Sequence, residues 1–174
     1  TASGISSIYN SGKLTVDAEL VLSADNFGIY NDGTAEIMSG EISAEGCSAG
    51  ISNAAGSSFT ITGGKVSCSG VDGGVWGYGV NNLGVFSVTG GSVEVQGIGS
   101  VDLMNDGADA ETVITGGSVR LVNGAAAYDG TGSITNGTDA VEMKTLLSYT
   151  SSADITRWNG AEYEYALTAE DVAS

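Results

Sequence analysis

Apolar and polar residues alternate with a period of two over short stretches of this chain, as in Phe86-Ser87-Val88-Thr89 and Val93-Glu94-Val95. That period places successive side chains on opposite faces of a strand, and Gly and Asn punctuate the stretches as turn residues. The alternation also recurs along the chain. One unit, small-apolar-x-Asn-x(x)-Gly, includes Ser7-Ile8-Tyr9-Asn10-Ser11-Gly12, Gly28-Ile29-Tyr30-Asn31-Asp32-Gly33 and Gly79-Val80-Asn81-Asn82-Leu83-Gly84. Its Asn positions are 10, 31, 53, 82 and 105, with Asp129 in a degenerate last copy, giving steps of 21, 22, 29, 23 and 24 residues. A second unit follows at fixed phase: Ile61-Thr62-Gly63-Gly64-Lys65-Val66, Val88-Thr89-Gly90-Gly91-Ser92-Val93 and Ile114-Thr115-Gly116-Gly117-Ser118-Val119.

Three short strands within ~22–25 residues make one coil of a parallel β-helix, in which no coil buries its apolar face alone and stacking makes one core. Aligning the copies predicts four inward columns. They are Ile8/Ile29/Ile51/Val80/Leu103/Ala127, Val16/Ile37/Ile61/Val88/Ile114/Ile134, Leu20/Ile42/Val66/Val93/Val119 and Leu22/Ala44/Cys68/Val95/Leu121. The same alignment sets Glu41 beside Lys65 and Glu94 beside Arg120, opposite charges in register on adjacent coils. The expected fold is all-β: a single-stranded right-handed parallel β-helix, or β-solenoid, of about six rungs spanning ~29 Å at the usual strand spacing.

The repeat fills residues 1–144. Beyond Lys144 the pattern changes, and Ile155 to Tyr165 reads as a hairpin, because Asn159-Gly160 between two alternating runs suits a turn with both central φ positive. Residues 145–174 therefore read as a C-terminal cap or the start of a following module, since a solenoid must cover its last open edge. Thr168-Ala169-Glu170-Asp171 offers a weak helix N-cap.

Composition narrows the function. Of 174 residues 28 are Gly, none is Pro or His, and the formal net charge is −16. Without His there is no imidazole base, proton shuttle or His-ligated metal. Five Lys and Arg are too few to neutralise a nucleic-acid backbone. No apolar run approaches the ~18 residues that a membrane span needs, and none reads as a signal peptide. A chain opening on Thr1-Ala2-Ser3, poor in Lys and rich in Gly, Ser, Thr and Asn, reads as a mature extracellular fragment from a bacterial surface or secreted protein.

The Asn column has a structural explanation, because an Asn amide at a turn can bond nearby backbone and the Asn one rung away. The Gly-Gly pairs lack the strand-to-helix setting and the Lys-Ser/Thr tail of a phosphate loop. Cys68 falls at a core position and Cys47 at a turn, which favours a buried free thiol for Cys68. Asp102, Asp106 and Asp109, with Asn105 and Glu111, form the densest acidic patch, a candidate calcium site echoed by Asn31-Asp32-Gly33 and Glu36. The coil between Asn53 and Asn82 carries a surplus loop, Gly70 to Gly77, that presents Asp72 and Trp76 ahead of Tyr78. Tyr9 and Tyr30 fall side by side in one outward column. Aromatic faces beside acids and amides are how proteins hold sugars, so Trp76, Tyr78, Tyr9, Tyr30 and Asp72 are the candidate carbohydrate-binding residues. Outward Thr62, Thr89, Thr115 and Thr135 also align, but the column is short and Thr is common on strands. A lyase would need a free Lys or Arg base, and a glycoside hydrolase two converging carboxylates; the alignment supplies neither, which favours a binding domain over an enzyme.

The Gly-Ile-x-Asn and Ile-Thr-Gly-Gly-x-Val units over residues 4–141 resemble the β-helical repeats of large surface proteins of gut bacteria. These are adhesin-like proteins and carbohydrate-binding domain-containing β-helix proteins. The resemblance implies a wall- or surface-associated role, as one monomeric module of a longer chain, with binding to polysaccharide or host glycan, sometimes aided by calcium. It carries over no individual residue. The alternative is a rigid spacer that projects another module and has no ligand of its own.

Overall fold

The computed structural model describes residues 5–71, 77–121, 126–130, 132–136, 141–143, 155–158 and 163–167. The first coil runs through β1 (Ser6–Asn10), β2 (Lys13–Asp17) and β3 (Leu20–Ala24), and the second through β4 (Phe27–Asn31), β5 (Thr34–Ser39) and β6 (Glu41–Gly46). The third holds β7 (Ala49–Asn53), β8 (Ser58–Ile61) and β9 (Lys65–Gly70). In the next two, β10 (Tyr78–Asn82) leads into the long β11 (Val85–Gly97), and β12 (Val101–Asn105) into β13 (Glu111–Leu121). Then come β14 (Ala126–Asp129), β15 (Ser133–Asn136) and β16 (Val141–Met143). Among the described residues every strand pairing is parallel except that of β17 (Ile155–Trp158) with β18 (Tyr163–Leu167). The result is a parallel β-solenoid of about five turns, extended by β14 to β16. The sheet β1-β4-β7-β10-β12-β14 forms its first face. The strands β2, β5, β8 and the first halves of β11 and β13 form the second face, and β3, β6, β9 and the second halves of β11 and β13 the third.

The four expected columns run through the first five coils as strand partners: Ile8 to Leu103, Val16 to Ile114, Leu20 to Val119 and Leu22 to Leu121. Two entries of the sixth rung are corrected. Tyr128, not Ala127, partners Leu103, and Ile134 partners Thr112 rather than Ile114. Consequently Asp129 sits opposite Met104 rather than continuing the Asn column. In this register Gly130 lies against the Asn105 carbonyl oxygen, where a Cβ would approach to 2.2 Å, so glycine suits the place. A fifth inward column, Leu14/Ala35/Phe59/Phe86/Thr112, was not foreseen. Its Phe59 and Phe86 rings stack in the core at 5.9 Å. The hairpin is present as expected at β17–β18, with β17 laid parallel on β16. Its Asn159-Gly160 turn and the Thr168–Asp171 segment lie outside the described residues.

The Asn column is a buried ladder. Asn10, Asn31, Asn53 and Asn82 each donate from Nδ2 to the Oδ1 of the next Asn at 2.7, 2.8, 2.8 and 2.6 Å, ending on Asn105. Each Nδ2 also donates to a backbone carbonyl one coil on, those of Thr34, Ser58, Val85 and Glu111. Thr112 Oγ1 donates to Asn105 Oδ1 at 3.0 Å. At the opposite corner, Gly40, Gly64, Gly91 and Gly117 hold φ of +92°, +80°, +80° and +77°. A Cβ at Gly91 would sit 2.6 Å from the Gly64 carbonyl oxygen, so these glycines serve both conformation and stacking distance. Glu41–Lys65 closes at 2.7 Å and Glu94–Arg120 at 3.6 Å, as the charge alignment anticipates.

Cys47 is exposed, Cys68 is buried, and both are free thiols. Burial, with a smaller contribution from the Glu94 carboxylate, pushes the Cys68 thiol up to about 12.

Four outcomes are expected. Asn53→Ala, which strands ladder groups on both sides, should cost ~2–4 kcal/mol in denaturant unfolding, whereas exposed Thr15→Ala should stay within ~0.5 kcal/mol; equal costs would mean the ladder adds nothing. Gly91→Ala should destabilise more than Gly56→Ala, because both have positive φ but only Gly91 has backbone in the path of its Cβ. In the native chain at pH 8 a thiol reagent should label Cys47 alone, and Cys68 only after unfolding. The native Cys68 keeps its proton where the unfolded thiol loses it above ~8.5, so stability falls as pH rises from there toward about 12. A Cys68→Val variant should lack that component of the alkaline loss.

Candidate functional site

Beside its core column the first face carries two further columns, partly exposed at Tyr9, Phe27 and Tyr30 and buried at Ala49, Ser52 and Tyr78. One runs Tyr9, Tyr30, Ser52, Asn81, Met104, and the other Ser6, Phe27, Ala49, Tyr78. Strict alternation would point residues three apart to opposite sides. Between the columns, however, stand Gly28, Gly50 and Gly79, which turn inward against the neighbouring strands. A Cβ at Gly28 would lie 2.8 Å from the Glu45 amide nitrogen, and one at Gly79 would lie 2.6 Å from that of Gln96. This inward step brings the Phe27 and Tyr30 rings together on the outside, 5.2 Å apart and tilted by 46°. Tyr9 and Tyr30 stack one coil apart at 5.4 Å and 3°, as the outward column predicts, with Tyr9 62% exposed.

The Phe27 ring separates two hollows. One, of about 210 Å³, is lined by Ile5, Ser6, Tyr9, Phe27 and Tyr30. The other, of about 300 Å³, is lined by Asn26, Phe27, Ser48, Tyr78 and Asn81. Tyr78 was expected to project beside Trp76. It is instead only 7% exposed and forms a wall of the larger hollow, in the column of buried Ala49 and held by its backbone N–H to the Ser48 carbonyl. Below Tyr30 the column drops to the small Ser52 and then Asn81, leaving a step beside the ring. The arrangement offers aromatic surface, two side-chain amides and two serine hydroxyls, and among the described residues no charged side chain lines either hollow.

Asp72 and Trp76 lie outside the described residues. The flanks of their loop are placed: Val71 N–H bonds the Gly46 carbonyl and Gly77 N–H that of Ser48, so the surplus segment leaves the coil at the corner where Ser48 lines the hollow.

The acidic residues proposed for calcium are not gathered. Asp102 is fully buried and takes, through Oδ1, the Gly97 N–H at 2.7 Å, while Asp106 and Asp109 are exposed on the following turn. Asp102 follows Gly28, Gly50 and Gly79 in the inward column, where a short acceptor fits and a surface ligand does not. Asn31 and Asn105 are committed to the ladder inside. Among the described residues no group of three acids or cysteines is placed to hold a metal ion.

A larger groove of about 500 Å³ crosses the third face over Glu41, Lys65, Ser67, Glu94 and Arg120. Its cations face carboxylates, and the hydrogen bond from Lys65 to Glu41 raises the lysine's pKa.

The sequence reading missed Phe27, Asn26, Ser48 and Asn81. The signal was present in the glycine one place after Phe27, repeated at Gly50 and Gly79, which marks an inward step in each strand. The chain matches no family model, no curated protein and no solved structure.

Proposed function

We propose that this chain is a non-enzymatic, adhesin-like domain that acts outside the cell, at a bacterial surface or secreted, and binds polysaccharide or host glycan on its first face. The observation that carries the reading is the Phe27 ring standing between two hollows, flanked by the stacked Tyr9–Tyr30 pair on one side and the Asn26 and Asn81 amides on the other. Sugar C–H faces pack on aromatic surface, and amides fix hydroxyls by donating and accepting together. At about 300 Å³ the larger hollow is at the small end of ligand sites, so it suits one or two sugar rings rather than a long chain. The surface-protein resemblance of the repeats and the scarcity of basic residues support the same reading. A glycan held by such small contacts is bound weakly at each site and gains from repetition along a surface.

The test is calorimetry and affinity electrophoresis against plant, mucin and bacterial polysaccharides. Tyr30→Ala removes a partly exposed ring without entering the core and should weaken binding at least ~10-fold, or ~1.4 kcal/mol. Binding that survives Tyr30→Ala but is lost in Trp76→Ala would move the site to the surplus loop. A folded chain that binds no member would favour the spacer reading, for which the continuous Asn ladder supplies the stiffness.

A further inference from the structure

We infer that the first-face site selects its sugars by charge, taking uncharged or amino sugars and turning away uronates, sulfated and sialylated glycans. The inference rests on the glycan reading above and adds the ligand class. Recognition of an acidic sugar needs a cation near the carboxylate, commonly an Arg fork or a Lys ammonium. Among the described residues no Lys or Arg lines either hollow. Lys13 stands on β2 of the second face, and Lys65 and Arg120 stand on the third face, each already opposite a glutamate. Arg157 belongs to β17 at the far end of the stack, and Lys144 lies outside the described residues.

Carboxylates border the site instead. Asp25 immediately precedes Asn26 of the larger hollow, and Asp32 follows Tyr30 by two residues; both are exposed, so they bracket β4 at its two ends. The chain as a whole carries a formal charge of −16, which lowers the local concentration of any anion at low ionic strength. What the hollows do provide, rings and amides, is indifferent to charge. Their contacts with a neutral sugar need no counter-ion, and an amino sugar gains from Asp25 and Asp32.

The experiment uses matched hexasaccharides titrated into the intact chain: α-1,4-linked galacturonate, the same oligomer fully methyl-esterified, and β-1,4-linked glucose and glucosamine. At about 10 mM salt, where the Debye length is about 30 Å, the ester should bind at least tenfold more tightly than the free acid. That gap should close toward 1 M salt, where charges are screened within about 3 Å. The double variant Asp25→Asn, Asp32→Asn should narrow it at low salt, and as both residues are exposed turn positions the core is untouched. Free galacturonate binding as tightly as its ester would overturn the inference. So would a gap insensitive to both salt and the double variant, which would be selection by shape. If neither these oligomers nor the polysaccharide panel binds, the glycan reading itself fails. Should the double variant fold poorly, the salt series on the unaltered chain decides alone.

Discussion

Each coil of this solenoid has a tight corner after its first strand, where backbone groups are turned away from water and cannot all pair with the next coil. The side chain of one inward asparagine meets that demand. Its Oδ1 accepts from the amide of the coil before, and its Nδ2 donates both to the coil after and to a carbonyl there. A buried amide left unsatisfied costs ~1–3 kcal/mol, and here each asparagine helps to satisfy the next alongside the backbone groups they bond. The ladder thereby couples five coils into one unit and fixes their axial register, since a slip of one residue would unpair every amide at once.

The remaining corners carry backbone hydrogen bonds from coil to coil and no side-chain ladder, and space decides their residues. Gly40, Gly64, Gly91 and Gly117 pass over one another with positive φ, and Gly46, Gly70 and Gly97 stack at the third corner, where a Cβ would meet the backbone leading into the next strand at 2.1–2.3 Å. Close approach lets the apolar columns interlock, down to Phe59 on Phe86 and the desolvated Cys68 thiol. The same spacing accounts for the two exposed ion pairs on the third face, which follow from residues one coil apart being strand partners and add little stability in water.

The first face steps around this rule. On the first face the glycines at 28, 50 and 79 fold inward, and at Gly28 this leaves Phe27 and Tyr30 partly exposed side by side, while Ala49, Ser52 and Tyr78 stay buried. That local step turns a strand's alternation into a surface where Phe27 and Tyr30 touch and small residues below them leave hollows. Where Asp102 replaces glycine, the carboxylate takes over a backbone N–H inside instead of reaching outward to a cation. The face is thus aromatic and amide-bearing, with its charge at the edges.

The repeat spacing, the four main core columns, the ladder and both ion pairs were legible in the letters, because a stacked coil presents equivalent residues at nearly constant separation. So was the Tyr9–Tyr30 pair, for the same reason. The sixth coil was not, because its degenerate copy matches the earlier ones too weakly for residue similarity to find a register in which Gly130 meets the Asn105 carbonyl. Nor was the Phe column, whose members are too few to stand out as a repeat. Alternation alone determined which residues of a regular strand face in or out. Whether Tyr78 projects or lines a wall, whether Asp102 meets solvent, and which residues join Phe27 were decided by tertiary structure alone, since each depends on a backbone step whose direction is set by the atoms of the neighbouring coil.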